Sequence, residues 1–295
     1  MKKISIIGAG TMGNGIAQVF AMNNYHVNLI DLNSNSLSKG INSIVTNLDR
    51  MIKRDIISSD QKITTLDNII TTMEINSAKS SDLVIEAVTE NIGIKLKLFK
   101  QLDQICSKET ILATNTSSIS ITEIAASTNR PEKVIGMHFM NPVPIMKLVE
   151  VIRGRKTSDE TTKSIIKISK TIKKIAIEVN DYPGFIANRI LLPMINEAIE
   201  ALNTGVAKVN NIDSIMKIGM GYPMGPLQLA DFIGLDVCLS ILEVMHEGFG
   251  GKKYIPCSLL VNMVAAGKLG IKSGIGFYDY SEGPRNKKVA AQFSK

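Results

Sequence analysis

KISIIGAGTMGNGIAQVFAM, Lys3 to Met22, is the stretch on which the fold turns. Its first five residues are a short β-branched run, and GAGTMG follows at once with glycines at Gly8, Gly10 and Gly13. A segment of helical period, IAQVFAM from Ile16 to Met22, comes next. A GxGxxG string alone is a weak signal, but between a strand and a helix it becomes a dinucleotide-binding fingerprint. Gly8 allows the tight turn, Gly10 lets the backbone approach a pyrophosphate, and Gly13 lets the helix pack closely on the strand. The loop of Gly8, Ala9, Gly10, Thr11, Met12 and Gly13 then offers N–H groups and the positive end of a helix dipole to that pyrophosphate.

Asp31 closes the next apolar run, VNLID from Val27. A carboxylate at that point accepts from both ribose hydroxyls of an adenosine and repels a 2′-phosphate. Its neighbours Leu32, Asn33 and Ser34 include no arginine to receive such a phosphate, so NAD is favoured over NADP. The competing reading of Asp31 is a helix-capping acid after a strand. FAD would need further nucleotide-binding segments, and none is legible.

Further strands are expected at DLVIEAV from Asp82, TILAT from Thr110, KVIGMHF from Lys133, KLVEVI from Lys147 and KIAIEV from Lys174. Most are continuously apolar, which implies burial on both faces of a largely parallel sheet. Between Asn33 and about Thr72 there is too much helical sequence for one crossover, so a helical excursion is expected, turning near Ile57 to Asp60. On it Arg50, Lys53 and Arg54 fall at i, i+3 and i+4, one basic helix face. After Asp181 to Gly184 the strand signals stop. FIANRILLPMINEAIEAL opens a helical region with Ile186, Ile190, Met194, Ala198 and Leu202 along one stripe, and Ile212–Ile218, Leu227–Met245 and Ser258–Ala266 continue it. The expected class is α/β: an N-terminal Rossmann-type doubly wound sheet with a helical excursion over 1–183, then an all-α C-terminal domain over 184–282. Residues 283–295 read as a loose polar tail.

Composition narrows the partners. Lys and Arg number 34 against 27 Asp and Glu, a net charge of +7 that suits anionic ligands. No basic run is interleaved with aromatics and Trp is absent, which argues against nucleic acid. The three cysteines, Cys106, Cys238 and Cys257, form no disulfide framework or metal motif, so no metal is expected and a reducing compartment fits. The apolar N-terminal run breaks at Gly8, short of a signal peptide, and no run is long enough to cross a bilayer. A cytoplasmic protein without a membrane partner is expected.

Of the three histidines, His26 and His246 fall at element ends, whereas His138 ends an apolar run just before NPVP, Asn141 to Pro144. If the flanking strands pair antiparallel around that turn, His138 faces Glu150, and alternation puts Gly136, His138, Glu150 and Ile152 on one face. A carboxylate on one ring nitrogen fixes the tautomer and leaves the other to take a proton, a general-base dyad. The same pair could equally be a self-satisfied contact inside the sheet.

Six motifs occur in order: GAGTMG from Gly8, ATNTSS from Ala113, HFMNPVP from His138 with KLVE from Lys147, DYPGFIANR from Asp181, GYPMGP from Gly221 and KSGIGFY from Lys272. Together they resemble the 3-hydroxyacyl-CoA dehydrogenase family, in particular its stand-alone bacterial 3-hydroxybutyryl-CoA branch. The resemblance implies NAD-linked oxidation of an acyl-CoA substrate, with His138 and Glu150 as the catalytic dyad and Ser117 and Asn188 on the substrate oxygens. It implies cofactor contacts at Glu90, Lys95, Ser117, Asn141 and Lys272, the coenzyme A 3′-phosphate near Arg50 and Arg54, and a homodimer formed through the helical domain. Plainer readings stand beside these: a solvated basic face for Arg50, Lys53 and Arg54, helix caps for Ser117 and Ser118, a packing amide for Asn188, and a residue merely preceding a turn for Lys272. Two other functions fit the scaffold: a dehydrogenase of free 3-hydroxyacids, and a crystallin-like protein that binds NAD without turnover. Ser117, His138, Glu150 and Asn188 together argue against the latter.

Overall fold

A computed structural model describes residues 1–294. The chain divides into two compact units, Met1–Tyr182 and a second beginning at Pro183. The strands of the first are β1 (Lys3–Ile7), β2 (His26–Ile30), β3 (Ile69–Thr72), β4 (Leu83–Glu86), β5 (Ile111–Thr114), β6 (Val134–Phe139), β7 (Leu148–Arg153) and β8 (Ile175–Asn180). Among the described residues they form one eight-stranded sheet in the order β3-β2-β1-β4-β5-β6-β7-β8. Neighbours run parallel except β6 and β7, which are antiparallel.

Both faces of the central strands are covered, which is why those strands read as unbroken apolar runs. On one face Ile4, Ile6, Leu83, Ile85, Ile135 and Met137 share a core with Ile16 and Phe20 of α1 (Thr11–Met22) and with Ile165 and Ile168 of α6 (Asp159–Thr171). On the other, Gly136 meets Ile152 and Ile121, the first residue of α5 (Ile121–Ala126). Each fully buried aliphatic side chain contributes about 1.5–3 kcal/mol. The sheet ends are less covered. Ile70 of β3 and Ile175 and Ile177 of β8 are exposed.

The second unit comprises α7 (Ala187–Asn203), α8 (Val209–Met220), α9 (Pro226–Ile233), α10 (Leu235–Phe249) and α11 (Ser258–Ala265), with a short antiparallel pair, β9 (Tyr278–Asp279) and β10 (Lys288–Val289). Its core gathers Leu192, Ile195, Ile199, Leu227, Leu242 and Phe277.

Five details depart from the expectations. The excursion is α2 (Ser34–Ile52) and α3 (Ser59–Asp67), and its last residues are strand β3, whose Ile-Ile-Thr-Thr run is too short to register against the helical pattern before it. The basic residues do not share one helix face, because α2 ends at Ile52. Asp55, at φ 54, closes it, with Ile56 N–H donating to Met51 O and Asp55 N–H to Ile52 O. Arg50 is in the last turn, while Lys53 and Arg54 belong to the closure. The α7 stripe is Asn188, Leu192, Ile195 and Ile199, with Ile186 and Ile190 exposed. A strict four-residue spacing drifts by about 40° per step around a helix of 3.6 residues per turn, so the expected set could not stay on one face. Leu227–Met245 is two helices broken at Gly234, whose φ is 105. Residues 283–294 are not loose: Lys288–Val289 pairs with β9, Ala290 is fully buried, and Phe293 stacks on Phe277. Lys295 lies outside the described residues.

Candidate active site

β1 delivers the chain into Gly8 at φ 103, and a Cβ there would lie 2.5 Å from Ala87 O. A Cβ on Gly13 would collide with Gly8 O, so these two glycines are required by the protein's own packing. Gly10 is different. A Cβ on it would meet nothing within 4 Å, so its bare backbone faces open space, as a phosphate-approach position should. Gly10 is also the N-cap of α1 and makes no side-chain cap bond, which leaves the first-turn N–H groups of Thr11, Met12 and Gly13 for a ligand. Asp31, just past β2, accepts Ala9 N–H at 2.8 Å and Asn33 N–H at 2.9 Å. It does not cap α2, because Asn33 does. Its carboxylate is tied to the glycine loop, where an adenosine ribose would need it. The residues present thus fit a dinucleotide.

Next along the sheet, the ends of β4 and β5 carry a buried polar cluster. Glu86, fully buried, accepts from Lys95 Nζ at 2.6 Å, Val88 N–H at 2.7 Å and Thr114 Oγ1 at 2.7 Å. Lys95, on α4 (Ile92–Ile105), is 1% exposed and also pairs with Glu90 at 3.3 Å. Glu90 in turn accepts from Thr116 Oγ1, from Ser117 N–H at 3.0 Å and from Ser118 Oγ at 3.1 Å. Burial pushes the Glu90 carboxyl up, but Lys95 and the Thr116 and Ser117 donors outweigh it and hold the group below the ordinary carboxylate value. Ser117 is therefore placed by Glu90. The α5 cap is Ser120, not Ser117 or Ser118. Asp181 fixes that helix start as well, accepting from Ser120 Oγ, Ile121 N–H and Thr122 N–H.

His138 and Glu150 face each other in the antiparallel β6–β7 pair, the register anticipated from the turn between them. His138 Nδ1 is 2.7 Å from Glu150 Oε2, with the residues 9% and 3% exposed. An imidazole that donates Nδ1–H to a carboxylate presents Nε2 as a proton acceptor. The connection that carries the pair is fixed from below. Lys174 Nζ donates to Val143 O at 2.5 Å and Met146 O at 2.6 Å, and burial pushes its ammonium below the usual lysine value. Asn141 opens that connection and is exposed. Asn115, after β5, ties it back by accepting Phe139 N–H at 2.9 Å.

In the second unit, Asn188 is buried in the first turn of α7. Lys272 follows Gly270 in a short 3-10 turn and is ion-paired with Asp236 of α10. Arg50 and Arg54 are exposed in the first unit, at the end of α2 and just beyond it. Glu86, Thr114, Thr116 and Lys174 were not singled out in the sequence. The signal for Glu86 was present: a carboxylate inside an otherwise apolar strand must find a buried partner. Among the described residues no helix is long and apolar enough to cross a membrane, and no cluster of His, Cys, Asp or Glu could hold a metal.

Residues 3–182 match the family described as 3-hydroxyacyl-CoA dehydrogenase, NAD binding domain, and residues 184–280 match its C-terminal domain. The chain is 52% identical over 282 residues to a probable 3-hydroxybutyryl-CoA dehydrogenase of Bacillus subtilis, covering 96% of this chain and 98% of that one. It is 49% identical to the 3-hydroxybutyryl-CoA dehydrogenase of Bradyrhizobium diazoefficiens, over 95% of this chain and 96% of that one. Among solved structures it is similar to (S)-3-hydroxybutyryl-CoA dehydrogenase from Ralstonia eutropha, with a TM-score of 0.92 and 47% identity over 95% of this chain and 99% of that one.

Proposed function

The chain belongs to the 3-hydroxyacyl-CoA dehydrogenase family, and from that premise we propose that it catalyses the reversible oxidation of an L-3-hydroxyacyl-CoA to the 3-ketoacyl-CoA, with a short chain such as 3-hydroxybutyryl-CoA as substrate. The cofactor is NAD, which when bound accepts the hydride from the third carbon of the acyl chain. His138 Nε2 takes the hydroxyl proton, and Glu150 on Nδ1 holds the ring and stabilises the imidazolium that forms. In the reductive direction the same nitrogen returns the proton. Ser117 and Asn188 donate to the reacting oxygen and oppose charge on it. The first-turn N–H groups of α1 hold the pyrophosphate and Asp31 the adenosine ribose, in favour of NAD over NADP. Glu90, Lys95, Asn141 and Lys272 serve the cofactor, Lys95 through its pairing with Glu90. Arg50 and Arg54 receive the 3′-phosphate of coenzyme A.

The observation that carries this reading is the buried His138–Glu150 contact at 2.7 Å, in a chain that matches the family along both domains. The chain also acts as a homodimer through its helical unit, a proposal supported by the exposed Ile215, Ile218, Met220 and Phe232 on α8 and α9. The decisive assay follows NADH and NADPH oxidation with acetoacetyl-CoA, longer 3-ketoacyl-CoAs and the matching free 3-keto acids. Turnover of the thioesters with NADH is expected. Turnover confined to free acids would overturn the substrate class, and equal rates with NADPH would overturn the role given to Asp31.

A further inference from the structure

We propose that Glu86 sets the preference of this site for the oxidised over the reduced cofactor, because its carboxylate leaves the Glu86–Lys95–Glu90 cluster with one net negative charge at the end of β4. The inference rests on the NAD reading above. One buried ammonium needs one carboxylate for neutrality, and Lys95 has two, Glu86 at 2.6 Å and Glu90 at 3.3 Å. The remaining donors to these carboxylates, Val88 N–H, Thr114, Thr116, Ser117 N–H and Ser118, are neutral and leave the net charge unchanged. Glu90 reaches solvent while Glu86 and Lys95 do not, so water screens the excess charge only in part and a cation bound nearby would balance the rest.

The strand order says what could. β2 lies on one side of β1 and β4 on the other, so the connections reverse direction at the β1–β4 pair. In such a sheet a dinucleotide lies across the carboxyl ends of the strands at that reversal. Asp31 marks the adenosine end on the β2 side, which puts the nicotinamide end on the β4 side. Ala87, directly after Glu86, packs against Gly8 of the phosphate loop. The oxidised ring is cationic and the reduced ring neutral, while the rest of the two cofactors is the same. A fixed negative cluster therefore discriminates between them by its potential alone. Glu86 does not touch the ring and is a positioning and charge-setting residue.

The test measures dissociation constants for NAD and NADH by calorimetry in the wild type and in Glu86→Gln. The amide keeps the shape, and its oxygen can still accept from Lys95 and Val88. The ratio of the NAD constant to the NADH constant should rise by roughly tenfold, the effect of one unit charge about 10 Å away at an effective dielectric of about 20. A merely structural role would weaken both nucleotides alike. If Glu86→Gln does not fold, Glu90→Gln removes one charge from the half-exposed end of the cluster and must move the ratio in the same direction. A ratio unchanged in the folded variant overturns the charge assignment. Wild-type protein that binds neither nucleotide overturns the cofactor reading beneath it.

Discussion

His138 Nδ1 lies at hydrogen-bond distance from the buried Glu150 carboxylate, and a ring so placed has a defined proton-accepting side. His138→Gln keeps a polar side chain of similar reach but cannot take a proton. Turnover should fall by about 10²–10⁴-fold, the usual contribution of a positioned acid–base group, while NADH affinity stays unchanged. Steady-state kinetics beside a nucleotide titration checks both, and near-normal turnover would remove the base from His138. This pair was legible because two strands of alternating residues around a Pro-rich turn allow few registers. Lys174 was not, since a lysine at the head of a strand gives no sign that its ammonium will cap two carbonyls of a connection 28 and 31 residues earlier.

At the scale of elements, two buried aspartates pin the helical unit together. Asp213 of α8 accepts Leu227 N–H and Gln228 N–H at the start of α9 and the Tyr278 hydroxyl of β9. Asp231 of α9 accepts Phe277 N–H, Tyr278 N–H and the Tyr280 hydroxyl. Gly225 and Gly276, from the GYPMGP and KSGIGFY motifs, leave room for these two carboxylates, so both motifs have a packing role. Burial, with Asp213 adding to it, pushes the Asp231 carboxyl from 3.8 up to about 6, against the donors that pull it down. The folded state thus holds this proton more tightly than the unfolded chain. The stability it contributes is full below pH 3.8 and is lost as pH rises through about 6. Melting curves of wild type and Asp231→Asn from pH 5 to 8 should show the wild-type advantage shrinking with rising pH, by roughly 1–1.5 kcal/mol across the window. Parallel curves would refute the titration. The sheet strands of the first unit were legible wherever burial on both faces made them largely apolar. β3 at the edge, the break at Gly234 and the fold-back of residues 283–294 were not, because each is set by tertiary contacts that leave no period in the sequence.

At the scale of the whole molecule, the exposed apolar residues of α8 and α9 bear on association. Ile218 is 85% exposed, with Ile215, Met220 and Phe232 also open to solvent. Sedimentation at micromolar concentration should give a dimer, and Ile218→Asp should shift it toward monomer without loss of helix. A monomeric wild type would dismiss the homodimer. The rim of the sheet has a different consequence. β8 has a strand neighbour on one side only among the described residues, and Ile175 and Ile177 stand exposed along it. Such a rim invites a foreign chain to add itself as the next strand and seed a fibril. Lys173 just before the strand and Glu178 within it, bonded to Arg153, set charge in the path of any such addition. Charge at such a rim is a common deterrent to strand addition, a consequence for solubility rather than for turnover.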